Sequence, residues 1–164
     1  MPDCVTVYLG LGSNEGDREC NLRSALSMLD STPGVHVDMV SDILETEPWG
    51  FDAEQNFLNC VARVIVDSCV TPEMLLDLCK SIEGRLGRQE KVEFSRDGKR
   101  IYHSRPIDID ILLFGLIRIC QDRLTVPHPL MAERDFVMVP LRQVAGSDVI
   151  EAFPDVFSPA GRLG

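Results

Sequence analysis

The sequence predicts an α+β fold: a ferredoxin-like antiparallel sheet with helices packed on it, all on one face, in which a β-α-β-β-α-β core is followed by a hairpin and a C-terminal helix. Three observations lead to this prediction. Short runs of β-branched and apolar residues recur along the chain, as in buried strands. Two segments between them carry apolar residues at helical spacing. The order of these strands and helices matches the ferredoxin-like motif.

The first half of the chain accounts for the β-α-β-β part of this order. Residues 4–11 form a β-branched run, which a polar, glycine-containing segment ends. Apolar residues recur at helical spacing over 22–29 and predict the first helix, which ends before a Pro-Gly pair. Alternation over 35–39 predicts a half-buried strand that extends toward residue 44. After a loop over 45–54, residues 57–66 are predicted to form the third strand.

The second half begins with a clear helix start. Thr71 is a suitable N-cap, and a proline and an acidic residue follow it, so a helix is expected from there to Gly87. The polar stretch 88–104 is expected to be a long loop, and such loops are often functional. The remaining elements are a strand, its hairpin partner and a short helix, predicted at 108–114, 116–120 and 136–144.

Size and composition predict a single domain over 1–164. Hydrophobic residues make up 45% of the 164 residues and charged residues 26%, as in globular proteins with a real core. No apolar run approaches the ~20 residues of a membrane-spanning helix, and no secretory signal is visible. The six cysteines are scattered without a Cys-x-x-Cys pair, which favours free thiols in a reducing compartment. We therefore expect a cytoplasmic protein with no membrane partner.

The charge pattern favours a small anionic ligand over a polymer. A net charge of -10 argues against a nucleic acid partner, which would need a broad basic surface. Residues 85–105 nevertheless hold seven basic and three acidic side chains, so this segment is +4 and the remainder -14. A solvated basic loop explains the same charges equally well, so the pattern alone leaves both interpretations open.

The strongest chemical feature is the pair Asp108 and Asp110 within a predicted strand. Side chains alternate along a strand, so the two carboxylates share one face, with Cα atoms ~6.5 Å apart. Two magnesium ions bound to a polyphosphate would fit this spacing, and Arg105 supplies a cation nearby. A strand with one solvated face would also tolerate the pair. Aspartate is a poor strand former, however, so the pattern favours a metal–phosphate site.

Two other segments are less informative by themselves. The glycine-containing segment 10–17 follows a strand and precedes a helix, as a phosphate-binding loop does, but it lacks the Gly-Lys-Ser/Thr ending. We interpret it as a tight turn with an N-cap. His128 lies between two prolines, where it could contact a ligand or be held by a structural hydrogen bond.

Seven stretches, in order along the chain, resemble the 6-hydroxymethyl-7,8-dihydropterin pyrophosphokinase family of the folate pathway. They cover roughly residues 5 to 145, and their number makes the resemblance specific. The matching stretches are YLGLGSN (8–14), TEPWG (46–50), FLN (57–59), IEGRLGR (82–88), RPIDIDIL (105–112), LTVPHP (124–129) and ERDFV (133–137).

The resemblance implies an ATP-dependent pyrophosphokinase, which transfers the pyrophosphoryl group of ATP to the hydroxymethyl oxygen of the pterin and releases AMP. Asp108 and Asp110 resemble the pair that holds two Mg²⁺ ions on ATP. Arg88 and Arg105 resemble the catalytic cations that grip the polyphosphate. The other residues that the resemblance places at the nucleotide are Glu83, Arg123, Thr125, His128 and Arg134.

The resemblance also implies a pterin site built from Thr46, Trp49, Phe57, Asn59 and Phe136. Phe57 and Phe136 would sandwich the ring, and Asn59 would read its hydrogen-bonding edge. These residue types suit the ligand, because a flat heteroaromatic ring needs aromatic faces and a few fixed polar groups. A monomer that acts on small molecules is expected.

The sequence departs from the family pattern in places. The loop after Arg88 is longer than usual, and Ser104 stands where proline commonly precedes the arginine. The chain stops at Gly164, where family members often continue into a final helix, so we expect a shortened chain or one part of a larger folate-pathway polypeptide.

Two rival functions use the same residues. A polymerase-like nucleotidyl transferase also places paired aspartates on a ferredoxin-like sheet, but the acidic composition and short chain count against it. A non-catalytic nucleotide or pterin sensor would bind ATP without turnover, and the presence of Asp108, Asp110 and Arg88 counts against it.

Overall fold

The computed structural model describes residues 3–47, 56–87, 93–94, 96, 100–101 and 106–158, and all structural statements below refer to these ranges. It has an α+β fold with an antiparallel sheet and helices, which confirms the predicted class. The strands are β1 (Cys4–Ser13), β2 (Val35–Val40), β3 (Leu44–Thr46), β4 (Phe57–Asp67), β5 (Glu93–Phe94), β6 (Arg100–Ile101), β7 (Asp108–Phe114), β8 (Ile119–Cys120) and β9 (Thr125–Val126). The helices are α1 (Arg18–Asp30), α2 (Pro72–Arg85), α3 (Asp135–Val144), α4 (Ser147–Ala152) and α5 (Pro154–Phe157), with a short 3-10 helix at Met131–Glu133.

The main sheet has the strand order β2-β4-β1-β7, and β3 also pairs with β4. All its pairings are antiparallel. The long strands β1 and β4 form its centre, where Leu11 pairs with Cys60 and Gly12 with Asn59. β7 lies on the other side of β1, where Gly10 pairs with Asp110 and Gly12 with Asp108. β1 thus lies between the aspartate pair and Asn59.

Local sequence explains both long helices. In α1, the side chain of Asp17 accepts a hydrogen bond from Cys20 N at 3.1 Å, which satisfies a backbone donor of the first turn. In α2, Thr71 caps the helix through Met74 N at 3.1 Å, and Pro72 occupies the first turn. The apolar faces of α1 and α2 pack on one face of the sheet, with Leu9, Leu11, Cys60 and Ile109 in the same core.

The opposite face of the sheet is divided between a second core and the polar site. α3, α4 and α5 cover part of this face, in a core that includes Tyr8, Val61 and Leu112. Tyr8 contributes a polar anchor, since its hydroxyl accepts a hydrogen bond from Gly146 N at 3.0 Å. The expectation that helices pack on one face only is therefore wrong, because α3 has a strongly apolar side that needs its own burial.

Several element boundaries differ from the predictions. β1 continues to Ser13, because β4 and β7 pair with its glycines on both sides. The predicted strand from residue 35 is split into β2 and β3, since the side chain of Ser41 accepts a hydrogen bond from Val61 N at 2.8 Å between them. β8 pairs with β9 and not with β7. The loop predicted over 88–104 contains the strand pair β5–β6.

None of the helices within the described ranges has the length and apolar character needed to span a bilayer.

Candidate functional site

Strand alternation places Asp108 and Asp110 on the same face of β7. Ile109 and Ile111, between and after them, are buried in the core beneath α2, with exposed fractions of 4% and 3%. The two aspartates are half-buried and line a cavity of about 420 Å³. The predicted arrangement of the carboxylate pair is therefore observed. Carboxylate oxygens are the ligands that Mg²⁺ prefers, so this donor set fits the ion.

The cavity also gathers every described residue that was predicted to lie at the nucleotide. Glu83 comes from α2, and Arg123 comes from the turn before β9. The others, Thr125, His128 and Arg134, lie between β9 and the start of α3. These residues are far apart in sequence, so the tertiary structure brings them to one place; their roles toward a nucleotide stay predictions.

Glu83 joins α2 to the edge strand β7. Its side chain is 5% exposed, and its Oε2 accepts a hydrogen bond from Ile109 N at 2.8 Å. This carboxylate thus satisfies a backbone donor on the strand that carries both aspartates. The nearby thiol of Cys79 has its pKa raised to about 12, chiefly by burial and further by the charges of Glu83 and Asp110. Glu83 therefore has a structural contact in addition to its place in the cavity.

His128 is held in place by two hydrogen bonds. Its Nδ1 accepts a hydrogen bond from Leu130 N at 3.4 Å, and its backbone N–H donates to Leu112 O at 3.0 Å. Burial lowers the pKa of His128, the charge of Arg134 lowers it further, and Asp108 opposes this effect. In a neutral ring whose Nδ1 is an acceptor, the proton is on Nε2, which is then a donor.

The predicted residue Arg123 forms an ion pair with Asp77 of α2, with Nη2 2.6 Å from Oδ1, and so connects the turn before β9 to the helix. The sequence-based prediction missed other residues that line this cavity. Lys80 and Asp122 line the cavity as well. Helical spacing could have identified Lys80, because residues three apart on α2 share a face, and Lys80 stands three before Glu83.

A second cavity, of about 260 Å³, contains two residues that were predicted for the pterin. It is lined by Thr46 and by the segment around the start of α3, including Phe136. Arg134 lines both cavities, and its guanidinium carbon lies 5.6 Å from the centre of the Phe136 ring. The two cavities are therefore neighbours that share one cation, which nothing in the local sequence indicated.

Asn59 and Phe57 adjoin this second cavity without lining it. Asn59 is 7% exposed, and its Nδ2 donates a hydrogen bond to Thr46 Oγ1 at 2.9 Å. Phe57 is paired with Thr46 in the β3–β4 ladder. A Cβ on Gly12 would lie 3.0 Å from Asn59 Oδ1 and 3.5 Å from Phe57 Cδ1, so the missing side chain at Gly12 leaves room for both.

Gly12 also sets the spacing between the two halves of the site. It pairs with Asn59 on β4 and with Asp108 on β7, so these three residues form a row across three strands. Neighbouring antiparallel strands lie 4.5–5.5 Å apart at paired Cα atoms, so Asn59 and Asp108 are separated by about 10 Å at their Cα atoms. Their side chains lie on the same face of the sheet, with the bare glycine between them.

Three predicted site residues lie outside the described residues: Trp49, Arg88 and Arg105. Their roles at the pterin and at the polyphosphate stay predictions.

Comparisons with known proteins point to one family. The family model for 7,8-dihydro-6-hydroxymethylpterin-pyrophosphokinase matches residues 8–146. A 2-amino-4-hydroxy-6-hydroxymethyldihydropteridine pyrophosphokinase from Porphyromonas gingivalis is 46% identical over 140 residues, which cover 85% of this chain and 90% of that protein. The protein with the same description from Bacillus subtilis is 41% identical over 138 residues, or 84% of this chain and 77% of that one.

Longer proteins also contain a matching region. The mitochondrial folate synthesis bifunctional protein of Pisum sativum is 38% identical over 143 residues, which are 87% of this chain but 26% of that protein. A crystal structure of HPPK-DHPS in complex with substrates has a TM-score of 0.61 at 15% identity, and the match covers 96% of this chain and 43% of that one. At this identity the structure supports the fold alone. The family model and the relatives confirm the resemblance found in the sequence: the chain belongs to the 7,8-dihydro-6-hydroxymethylpterin-pyrophosphokinase family.

Proposed function

We propose that this chain transfers the pyrophosphoryl group of ATP to the hydroxymethyl oxygen of 6-hydroxymethyl-7,8-dihydropterin, releases AMP, and acts in folate biosynthesis. One observation carries the proposal beyond family membership. The cavity with the paired aspartates and the cavity with Thr46 and Phe136 are neighbours that share Arg134. This arrangement suits two substrates that must meet, one anionic and one aromatic.

The larger cavity is proposed to bind ATP. Asp108 and Asp110 would hold two Mg²⁺ ions together with the phosphates, and the bound ions would neutralise charge on the transferred group. Arg134 presents a cation at the boundary of the two cavities, where the pyrophosphoryl group would pass. His128 would donate a hydrogen bond from Nε2, since its Nδ1 already accepts one from Leu130 N. Glu83, Arg123 and Thr125 would line the rest of the nucleotide site.

The smaller cavity is proposed to receive the pterin. Phe136, with Phe57 nearby, would offer aromatic faces to the ring. Asn59 has its Nδ2 committed to Thr46, so its Oδ1 would accept hydrogen bonds from the ring edge. The same pair would fix the amide orientation, which is necessary for recognition of a polar edge. Trp49 is proposed to complete this site.

The transfer depends on how the two substrates are positioned and needs no nucleophile from the protein. The hydroxymethyl oxygen attacks the β-phosphorus, an O–P bond forms, and the bond from that phosphorus to the bridging oxygen of AMP breaks. The row from Asn59 through Gly12 to Asp108 places the pterin side and the phosphate side about 10 Å apart at their Cα atoms. Arg88 and Arg105 are proposed to grip the polyphosphate and stabilise its developing charge.

The remaining expectations are proposed on separate grounds. The strand order β2-β4-β1-β7, with α1 and α2 as connections, supports a ferredoxin-like core. The net charge of -10 supports small molecules over nucleic acid as partners. All six cysteines are free, which is consistent with a cytoplasmic location. A monomer and a single domain over 1–164 are the proposed organisation.

The test is to mix the protein with Mg-ATP and 6-hydroxymethyl-7,8-dihydropterin and to identify the products. Formation of AMP only when the pterin is present supports pyrophosphoryl transfer. Pterin-dependent ADP would instead indicate an ordinary kinase. Free pyrophosphate would indicate nucleotidyl transfer, and tight ATP binding without any product would indicate a sensor.

A further inference from the structure

Arg18, the first residue of α1, connects this helix to β3 and to the residue that precedes β4. Its Nη1 donates a hydrogen bond to Glu45 Oε1 at 3.2 Å and another to the backbone oxygen of Asn56 at 2.9 Å. Glu45 belongs to β3, and Asn56 directly precedes β4. One guanidinium nitrogen therefore holds the two sides of the hairpin.

The contacts of Arg18 are adjacent to residues proposed for the pterin. Glu45 precedes Thr46, and Asn56 precedes Phe57, while Thr46 and Phe57 are paired across the two strands. Side chains at neighbouring positions of a strand share its backbone, so a shift at Glu45 or Asn56 moves the proposed ligand contacts directly. Arg18 itself lines neither cavity of the site.

Arg18 is also fixed on its other side. Asp17 caps α1 through Cys20 N at 3.1 Å, and the Nδ2 of Asn21 donates to Glu15 O at 2.9 Å and to Ser13 Oγ at 3.3 Å. Ser13 is the last residue of β1 and follows the glycine that pairs with Asn59. These hydrogen bonds tie the first turn of α1, which begins at Arg18, to the end of β1 and to the turn between them.

We propose that Arg18 is a positioning residue for the pterin substrate: it sets the separation and orientation of Thr46 and Phe57 by tying the hairpin to the start of α1. The proposal rests on the proposed function, since it assumes that the pterin binds beside these residues. It assigns Arg18 no contact with either substrate.

The two bonds of Arg18 differ in strength. The ion pair with Glu45 is weak, because the two side chains are 24% and 50% exposed and solvent screens their charges. The bond to the Asn56 carbonyl is charge-assisted and attaches directly to the backbone before β4. Since both bonds come from one nitrogen, a lysine ammonium with several donors can replace them, whereas a methionine keeps the apolar stem and loses every donor.

The test compares Arg18→Met, Arg18→Lys and the control Arg23→Met. Arg23 is on the same helix, is 80% exposed and pairs with Glu19 at 3.7 Å. In steady-state assays, Arg18→Met should raise the KM for the pterin about tenfold, as expected for loss of a charged hydrogen bond. The KM for ATP should change less than about twofold. Arg18→Lys should restore most of the pterin KM, and Arg23→Met should match the wild type.

Calorimetric titration of the pterin into each variant, with a non-hydrolysable ATP analogue present, separates this proposal from the proposed function. If wild-type protein binds no pterin and makes no AMP, the proposed function fails and this proposal with it. If the wild type is active and Arg18→Met binds the pterin normally, only the positioning role is refuted. Equal increases in both KM values, without rescue by Arg18→Lys, would also refute it, because they indicate a general loss of structure.

Discussion

Replacement of Gly12 by alanine would add a methyl group between the two halves of the site. Its Cβ would lie 3.0 Å from Asn59 Oδ1, 3.5 Å from Phe57 Cδ1 and 3.9 Å from the backbone oxygen of Leu58. These three residues belong to β4, on the pterin side, and no atom of β7 is among these nearest contacts. We therefore expect Gly12→Ala to impair pterin binding and to leave ATP binding nearly unchanged.

The magnitude follows from how firmly Asn59 is held. A contact of 3.0 Å is a few tenths of an ångström too short, so the amide of Asn59 must move. Its Nδ2 is bonded to Thr46 Oγ1 at 2.9 Å, and movement of the amide lengthens that bond. Overpacking costs about 1–3 kcal/mol, and loss of one hydrogen bond about 1 kcal/mol. If about 1–2 kcal/mol of this appears in binding, the KM for the pterin rises roughly 5- to 30-fold.

The assay is steady-state AMP release with each substrate varied in turn, together with urea unfolding. Gly84→Ala is the matched control, because it is the same substitution at an exposed helical glycine with nothing within 4 Å of the new Cβ. This control should keep both KM values and raise the free energy of unfolding by about 0.5–1 kcal/mol, as alanine favours a helix over glycine.

Two results would contradict this reasoning. A pterin KM within twofold of the wild type would mean that Asn59 yields without loss, so its orientation does not govern recognition. A larger increase in the KM for ATP than in that for the pterin would mean that Gly12 acts on the β7 side, against the contacts found for its Cβ.

Three other predictions concern the metal site, pH and the thiols. Asp110→Asn should abolish AMP formation while leaving the thermal unfolding temperature close to that of the wild type; near-normal turnover would refute the proposed metal site. Burial lowers the pKa of His128 below the ordinary histidine value of 6.5. The unfolded histidine therefore takes up a proton at a higher pH than the folded one, so the free energy of unfolding falls as the pH drops below 6.5. His128→Gln should therefore lose less unfolding free energy than the wild type between about pH 7.5 and 5.5, in urea titrations with EDTA; an equal loss would contradict the shift. Burial is the largest cause that raises the pKa of the Cys60 and Cys79 thiols, each to about 12. These two should react with a thiol reagent only on unfolding, while the exposed Cys4, Cys20, Cys69 and Cys120 should react rapidly. Fast labelling of all six would contradict this burial.

Features that depend on short stretches of sequence could be predicted well. Strand alternation places Asp108 and Asp110 on one face whatever surrounds the strand, and this is observed. The start of α2 after Thr71 follows from a hydroxyl cap and a proline, both of which act within one turn. Family membership could also be recognised, because the motifs are contiguous stretches in a characteristic order.

Other features could not be predicted, because they depend on contacts between distant segments. The break between β2 and β3 needs a bond from Val61 N to Ser41 Oγ, twenty residues apart. The pairing of β8 with β9, in place of β7, depends on how a loop folds back. The apolar side of α3 could be recognised, but not that it would cover the second face of the sheet.

The sequence by itself thus determined the α+β class, the carboxylate pair and the family, since each depends on residue type, period or order along the chain. The tertiary structure decided how these parts form one site. It places Arg134 between two cavities, gives Glu83 a bond to Ile109 N, and ties the β3–β4 hairpin to Arg18. The physical reason is that each of these contacts joins segments that only the folded sheet and its packed helices bring within hydrogen-bonding distance.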